Sequence, residues 1–213
     1  AEMAAGAGAG DVLLAAPLIG PSVGRFISLM RAFPEVKFTG LADDAASLEV
    51  LSRAAVAVGL EIAVMLDLDV GQGRTGVIPG DAAAALYQKI AALPGLIPAG
   101  LHAYDGHLHQ ADAGERSAAC DAAFAPVAAL RDTLTAAGLP VPAVVAGGTP
   151  TFPAHARRPD VECSPGTCVL WDAGYGAKLP DLDFLHAAVL LTRVVSRPAA
   201  GRLCLDLGHK AVA

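Results

Sequence analysis

The chain has 213 residues, 54% of them hydrophobic and 17% charged, with a formal net charge of −6. That length buries one good-sized core or two small ones, and the apolar share excludes a disordered chain. With no basic patch to meet a phosphate backbone, the acidic balance speaks against nucleic acid as a partner, although it leaves room for a local phosphate site.

Residues 1–10 are small and lack both a basic stretch and a Leu-rich run, so they read as the tail of a helix ending at glycine rather than a signal peptide. A strand over 11–15, a helix over 21–32, a strand over 37–42 and a helix over 44–58 follow. Asp44 can cap that last helix, Leu48, Leu51, Ala55 and Val58 form its apolar stripe, and Gly59 ends it. Next, Ile62, Val64, Leu66 and Leu68 alternate with Ala63, Met65, Asp67 and Asp69, the period of a strand. Its apolar set faces covering helices, and Asp67 and Asp69 face the other way. A helix over 81–93 leads to a strand in which Ile97, Ala99, Leu101 and Ala103 alternate with Pro98, Gly100, His102 and Tyr104. A helix over 113–137 carries a kink at Pro126, and the runs Val144-Val145-Ala146 and Val161-Glu162-Cys163-Ser164 supply the last two of six strands. Repeated β-then-α units of this length indicate a parallel sheet with right-handed crossovers. After Trp171 the rhythm changes: β-branched runs over 186–197 and 202–207, separated by 198–201, suggest an antiparallel hairpin.

No membrane span is expected. The longest charge-free stretch, 134–153, is broken by Pro140, Pro142, Pro150 and Pro153. Cys120, Cys163, Cys168 and Cys204 have no zinc-like spacing, so buried, reduced thiols in a cytoplasmic protein are expected, with Cys163 and Cys168 on opposite faces of one strand.

Several strand ends carry loop motifs. Asp67-Leu68-Asp69-Val70-Gly71-Gln72-Gly73-Arg74-Thr75-Gly76-Val77 presents one guanidinium on tightly turned backbone. Tyr104-Asp105-Gly106-His107, Gly147-Gly148-Thr149 and Pro165-Gly166-Thr167 end three later strands. Glycine N–H groups and threonine hydroxyls at such ends are the parts of a phosphate cradle, and in parallel α/β proteins ligands sit at this end of the sheet.

In the order and spacing of these motifs, and in Leu205-Asp206-Leu207-Gly208-His209-Lys210-Ala211 near the end, the chain resembles the D-threonine aldolase and D-serine dehydratase-like family, whose barrel is shared with alanine racemase. The resemblance implies an α/β fold: a partial (β/α)₈ TIM-type barrel over 1–172, followed by the start of a C-terminal β-domain over 173–213. It implies pyridoxal 5'-phosphate as cofactor. Arg74 would bond the phenolic oxygen, Tyr104 would pack on the pyridine ring, and Gly148, Thr149, Gly166 and Thr167 would bind the phosphate. Ser164 falls where alanine racemases keep an arginine near the pyridine nitrogen, which argues against plain alanine racemase.

A complete barrel of this type typically needs about 250 residues, and six barrel strands are found, so the sequence is expected to be a piece of a longer protein. By the family pattern the Schiff-base lysine precedes it, and the ligands of a divalent metal (Mn, Mg or Zn) follow it; no metal ligand is assigned within the chain. Lys210 matches a strand of the β-domain, and Lys37, Lys89 and Lys178 match no Schiff-base lysine. The resemblance implies a lyase that cleaves D-β-hydroxy amino acids to glycine and an aldehyde, in a parent compatible with a homodimer. These residues alone are expected to be inactive. D-serine dehydratase and racemase chemistry are close alternatives. A metal-dependent barrel hydrolase using Asp67, Asp69, His107 and His109 is another, but it leaves both Gly-Thr turns without a purpose. A non-catalytic pyridoxal-phosphate carrier is disfavoured by the hairpin after Trp171. As single residues, His109 reads as a solvated loop residue, His107 as a hydrogen-bonding group behind the site, and His102 as a satisfied histidine inside the barrel. Asp67 and Asp69 read as groups that orient Arg74 and its backbone.

Overall fold

A computed structural model describes residues 1–208. Six strands, β1 (Asp11–Pro17), β2 (Lys37–Ala42), β3 (Ile62–Asp67), β4 (Leu96–Ala103), β5 (Val144–Ala146) and β6 (Glu162–Cys163), pair in chain order, every pair parallel. The helices α1 (Glu2–Gly6), α2 (Pro21–Ala32), α3 (Ala45–Val58), α4 (Asp81–Ala92) and α5 (Ala113–Ala136) intervene as the sequence leads one to expect, with Pro126 inside α5. The strands curl into part of a barrel, and α2 to α5 cover its outside.

The helix ends follow from local chemistry. Asp44 accepts the N–H groups of Ala46 and Ser47, each at 2.9 Å, and Gly59 closes α3 in the left-handed conformation at φ 65°. Leu48, Leu51 and Ala55 then point inward and are fully buried. The strand alternation holds on β3. Ile62, Val64, Leu66 and Leu68 join one large core with Phe26, Phe38 and Tyr87 from the outer layer. Met65 instead joins Leu41 and Val145 in a small cluster on the barrel's inner face, with Leu13 and Ala99 packed against it.

On β4 the alternation breaks. Val64 pairs with Pro98 but Met65 pairs with Gly100, so Ala99 is an extra residue, a bulge. In consequence Ala99 faces inward while Leu101 and Ala103 belong to the outer core, and Ile97 is 42% exposed. The four residues do not share a face.

Beyond the barrel, a 3₁₀ turn (Thr167–Val169) and a short α7 (Ala173–Lys178) surround a small cluster of Trp171, Leu179 and Leu182. An antiparallel hairpin of β7 (Val194–Ala199) and β8 (Arg202–Leu205) forms as expected, but its first strand starts eight residues later than the β-branched run suggests. Side chains there are exposed, including Leu185, Val189 and Leu191, so hydrophobicity in that run does not reflect strand pairing among the described residues. The thiols also differ from expectation. Only Cys120 is buried, Cys204 is exposed, and Cys163 and Cys168 lie on a strand and a 3₁₀ turn rather than on one strand. No described helix is long and apolar enough to cross a membrane.

Candidate active site

The loop after β3 is built around two aspartates with different tasks. Asp67, at the strand's end, is 3% exposed; its Oδ1 lies 2.7 Å from His102 Nδ1 on β4, and its Oδ2 accepts the Thr75 hydroxyl at 2.8 Å. His102 is thus a satisfied histidine on the barrel's inner face. Asp69 lies past the strand. Its Oδ1 accepts the N–H groups of Gly71 at 2.9 Å and Gly73 at 3.0 Å, and these bonds, Gly73's foremost, hold its carboxyl below the usual carboxylate range. Gly76 closes the loop at φ 96°, where a Cβ would come within 2.5 Å of the Leu68 carbonyl carbon. Such a φ with that contact leaves room for glycine alone.

This loop presents Arg74, whose side chain is exposed and whose guanidinium carbon lies 5.0 Å from the centre of the Tyr104 ring. That ring also meets the first Gly-Thr turn, since a Cβ on Gly148 would lie 3.1 Å from Tyr104 Cε2. The second turn joins the first: Cys168 N–H donates to Thr149 Oγ1 at 3.2 Å. Arg74, Tyr104, Gly148, Thr149 and the turn through Gly166 and Thr167 therefore form one chain of contacts at the C-terminal end of the sheet. Thr149 is 3% exposed, while Gly166 faces open space. Among the described residues, the backbone N–H groups of Thr149, Gly166 and Thr167 carry no intramolecular hydrogen bond, so they are free to donate to a ligand. Gly148 is different. Its N–H already donates to Asp105 Oδ1 and Thr151 Oγ1, both at 3.1 Å, so what it offers a ligand is space beside Tyr104. Ser164 donates its hydroxyl to the Gly147 carbonyl at 2.8 Å and presents no charge.

The remaining histidines part company. His109 is exposed. The ring of His107 packs on Gly71, where a Cβ would meet its Nε2 at 2.8 Å, and its buried Nδ1 has no partner, contrary to the hydrogen-bonding role expected of it. Among the described residues, Asp67, Asp69, His107 and His109 form no cluster of metal-ligand atoms; the one such group comprises Asp105, Cys120 and His155. Lys210 lies outside the described residues.

That buried group escapes sequence reasoning. Asp105 follows Tyr104 directly, but Cys120 lies on α5 and His155 on the four-residue helix α6 (Phe152–His155), so no local spacing joins them. His155 Nε2 lies 2.9 Å from Asp105 Oδ2, and Cys120 Sγ lies 3.2 Å from the same nitrogen. Burial, assisted by the Asp105 charge, pushes the Cys120 thiol up to about 11. Arg116, 3% exposed on α5, was equally hidden. It donates to the Pro150 carbonyl at 2.8 Å and pairs with Asp181.

A curled parallel sheet with helices outside and loops converging at the strands' C-terminal ends defines a partial TIM-type barrel, and the candidate site lies at the end of the sheet where such barrels carry their ligands. Residues 28–172 match the family "Alanine racemase, N-terminal domain", and the chain belongs to it. The chain is 33% identical over 208 residues to D-threonine aldolase of Arthrobacter sp, which spans 96% of the chain and 54% of that protein. It is 30% identical over 223 residues to 3-hydroxy-D-aspartate aldolase of Paracoccus denitrificans (strain Pd 1222), across 99% of the chain and 57% of the relative. The crystal structure of D-threonine aldolase from Filomicrobium marinum superposes with a TM-score of 0.90 at 30% identity, covering 98% of this chain and 57% of that one. The chain thus spans little more than half the length of the relatives it matches.

Proposed function

We propose that this chain is the cofactor-binding part of a pyridoxal-phosphate-dependent lyase that cleaves D-β-hydroxy amino acids, D-threonine among them, to glycine and an aldehyde. The observation that carries the reading is the contact chain from Arg74 through Tyr104 and Gly148 to Thr149 and the Thr167–Val169 turn. Its members suit the cofactor. Free N–H groups on Thr149, Gly166 and Thr167 can receive a phosphate, each bond to such a charged group contributing about 1.5–3 kcal/mol. Tyr104 offers an aromatic face for the pyridine ring, and Arg74 a fork for the phenolic oxygen. When bound, pyridoxal phosphate supplies an electron sink for the substrate's α-carbon. The protein's own part is orientation: Asp69 sets the loop that aims Arg74, and Ser164, bonded to the Gly147 carbonyl, would offer the pyridine ring a neutral hydroxyl rather than a cation.

The aldolase names of the aligned relatives point to substrates with a β-hydroxyl on a D-configured α-carbon. In this reading residues 173–213 open a second, all-β region, and a divalent metal would supply a Lewis acid for the β-hydroxyl; no residue of this chain is assigned to hold it. The enzyme acts on a small molecule. The test is stereochemical. The full-length polypeptide should release acetaldehyde from D-threonine and not from L-threonine, and lose that activity with a chelator. Chelator-resistant racemisation of alanine, with no aldehyde formed, contradicts the lyase reading.

A further inference from the structure

Beneath the Gly147-Gly148-Thr149 turn lies a carboxylate whose every acceptor position is filled. Asp105, 2% exposed, takes the Gly148 N–H at 3.1 Å and the Thr151 hydroxyl at 2.7 Å on Oδ1. Its Oδ2 faces His155 Nε2 at 2.9 Å and the Cys120 thiol at 3.8 Å. A carboxylate has about four lone-pair sites, so this one has none to spare. Behind it, Arg158 Nη1 lies 3.2 Å from His155 Nδ1. A guanidinium only donates, so Nδ1 is the acceptor and the ring hydrogen sits on Nε2, aimed at Asp105. Arg158 also pairs with Asp121 and lies over the Phe124 ring, its guanidinium carbon 4.5 Å from the centroid, which fixes it in place.

The same group explains the glycine. Gly147 has φ 85°, and a Cβ there would lie 2.6 Å from His155 Cδ2. The turn is closed down onto the His155 ring on one side and held through Pro150 by Arg116 on the other.

We propose that Asp105 is the positioning residue of the phosphate-accepting turn: braced by His155 and Arg158, it holds Gly148 and Thr151 so that Thr149 between them meets the anion in a fixed geometry. The inference rests on the pyridoxal-phosphate reading above and assigns the Asp105–Cys120–His155 group to hydrogen bonding rather than to a metal. Two features support that assignment. The imidazole nitrogen nearest the thiol carries the hydrogen, and a guanidinium stands directly behind the histidine where a cation would be repelled. Asp105 is buried beneath the turn with its acceptors filled, so it acts through the turn.

In an Asp105→Asn variant the amide must turn one N–H₂ toward His155 Nε2–H or toward the turn's donors, and either choice opposes two donors. The measurement is binding of pyridoxal phosphate and of pyridoxal, which lacks the phosphate, to the full-length polypeptide. Asp105→Asn should weaken pyridoxal phosphate by about tenfold or more, the loss of one charge-assisted hydrogen bond, and leave pyridoxal within about twofold. Thr151→Val, which keeps the carboxylate but removes the bridging hydroxyl, should show the same selectivity with a loss of about threefold to tenfold, and it decides the matter if Asp105→Asn fails to fold. Equal losses for both ligands, or none for either, overturn the inference while leaving the cofactor reading intact. If the native protein binds both ligands equally, the phosphate cradle itself fails and takes the inference with it. Stoichiometric zinc that is lost in Cys120→Ser also overturns it, because a metal would take the oxygens that hold the turn.

Discussion

If the proposed lyase reading holds, Arg74→Ala in the full-length polypeptide is expected to keep the native fold and to lose about 10²–10³-fold in kcat/KM for D-threonine cleavage, the usual scale for removing one preorganised donor from a developing negative charge. Its guanidinium is exposed and stacks at 5.0 Å on Tyr104, so its share of folding stability is small, about 0.5–1 kcal/mol for such an exposed cation–π contact. Arg74→Lys should fall between the two, because an ammonium keeps the charge but not the planar fork. The loop that presents the side chain is fixed by Asp69 and by the closure at Gly76, so neither substitution should disturb its backbone. Steady-state kinetics beside a thermal melt separate the two effects. An unchanged kcat/KM in Arg74→Ala would remove this residue from the site.

Gly100→Ala is expected to be the most damaging single methyl in the barrel, lowering stability by about 3–5 kcal/mol through combined backbone strain and overpacking. The residue sits at the β4 bulge with φ 124°, and a Cβ there would lie 1.9 Å from the Ala143 carbonyl oxygen. That oxygen accepts the Leu101 N–H at 3.0 Å, the bond that starts the β4–β5 pairing, so the added carbon cannot be accommodated without parting the strands. Gly24→Ala in α2 is the control. Nothing lies within 4 Å of a Cβ there, and replacing glycine inside a helix should stabilise by about 0.5–1 kcal/mol. Denaturant unfolding of both variants gives the comparison, and equal stability of the two would refute the steric account.

These two glycines also show where the sequence is readable. Caps and stripes are local, so Asp44, Leu48, Leu51, Ala55 and Gly59 declare α3 within sixteen residues. The β3 alternation is equally local and correctly sets Met65 and Asp67 against Leu66 and Leu68. The β4 bulge is invisible because it depends on how β3 and β5 pair with β4, and alternation alone places Ala99 on the wrong face. Loop motifs bring Arg74, Tyr104, Thr149 and Thr167 into view because the order and spacing of the whole set, rather than any one motif, match the family pattern. The support beneath them is assembled from residues far apart in sequence: Asp105 meets His155 fifty residues on, and Arg116 meets Pro150 and Asp181. Nothing in local composition marks those partners.

The contact chain around Tyr104 predicts where the cofactor's phosphate lies. A crystal structure of the full-length polypeptide grown with pyridoxal phosphate should place the phosphorus between Thr149 and the Gly166-Thr167 backbone, with Tyr104 beside the ring and Arg74 at the phenolic oxygen. A phosphate bound at the opposite end of the sheet, or a ring out of reach of both Arg74 and Tyr104, would contradict the account.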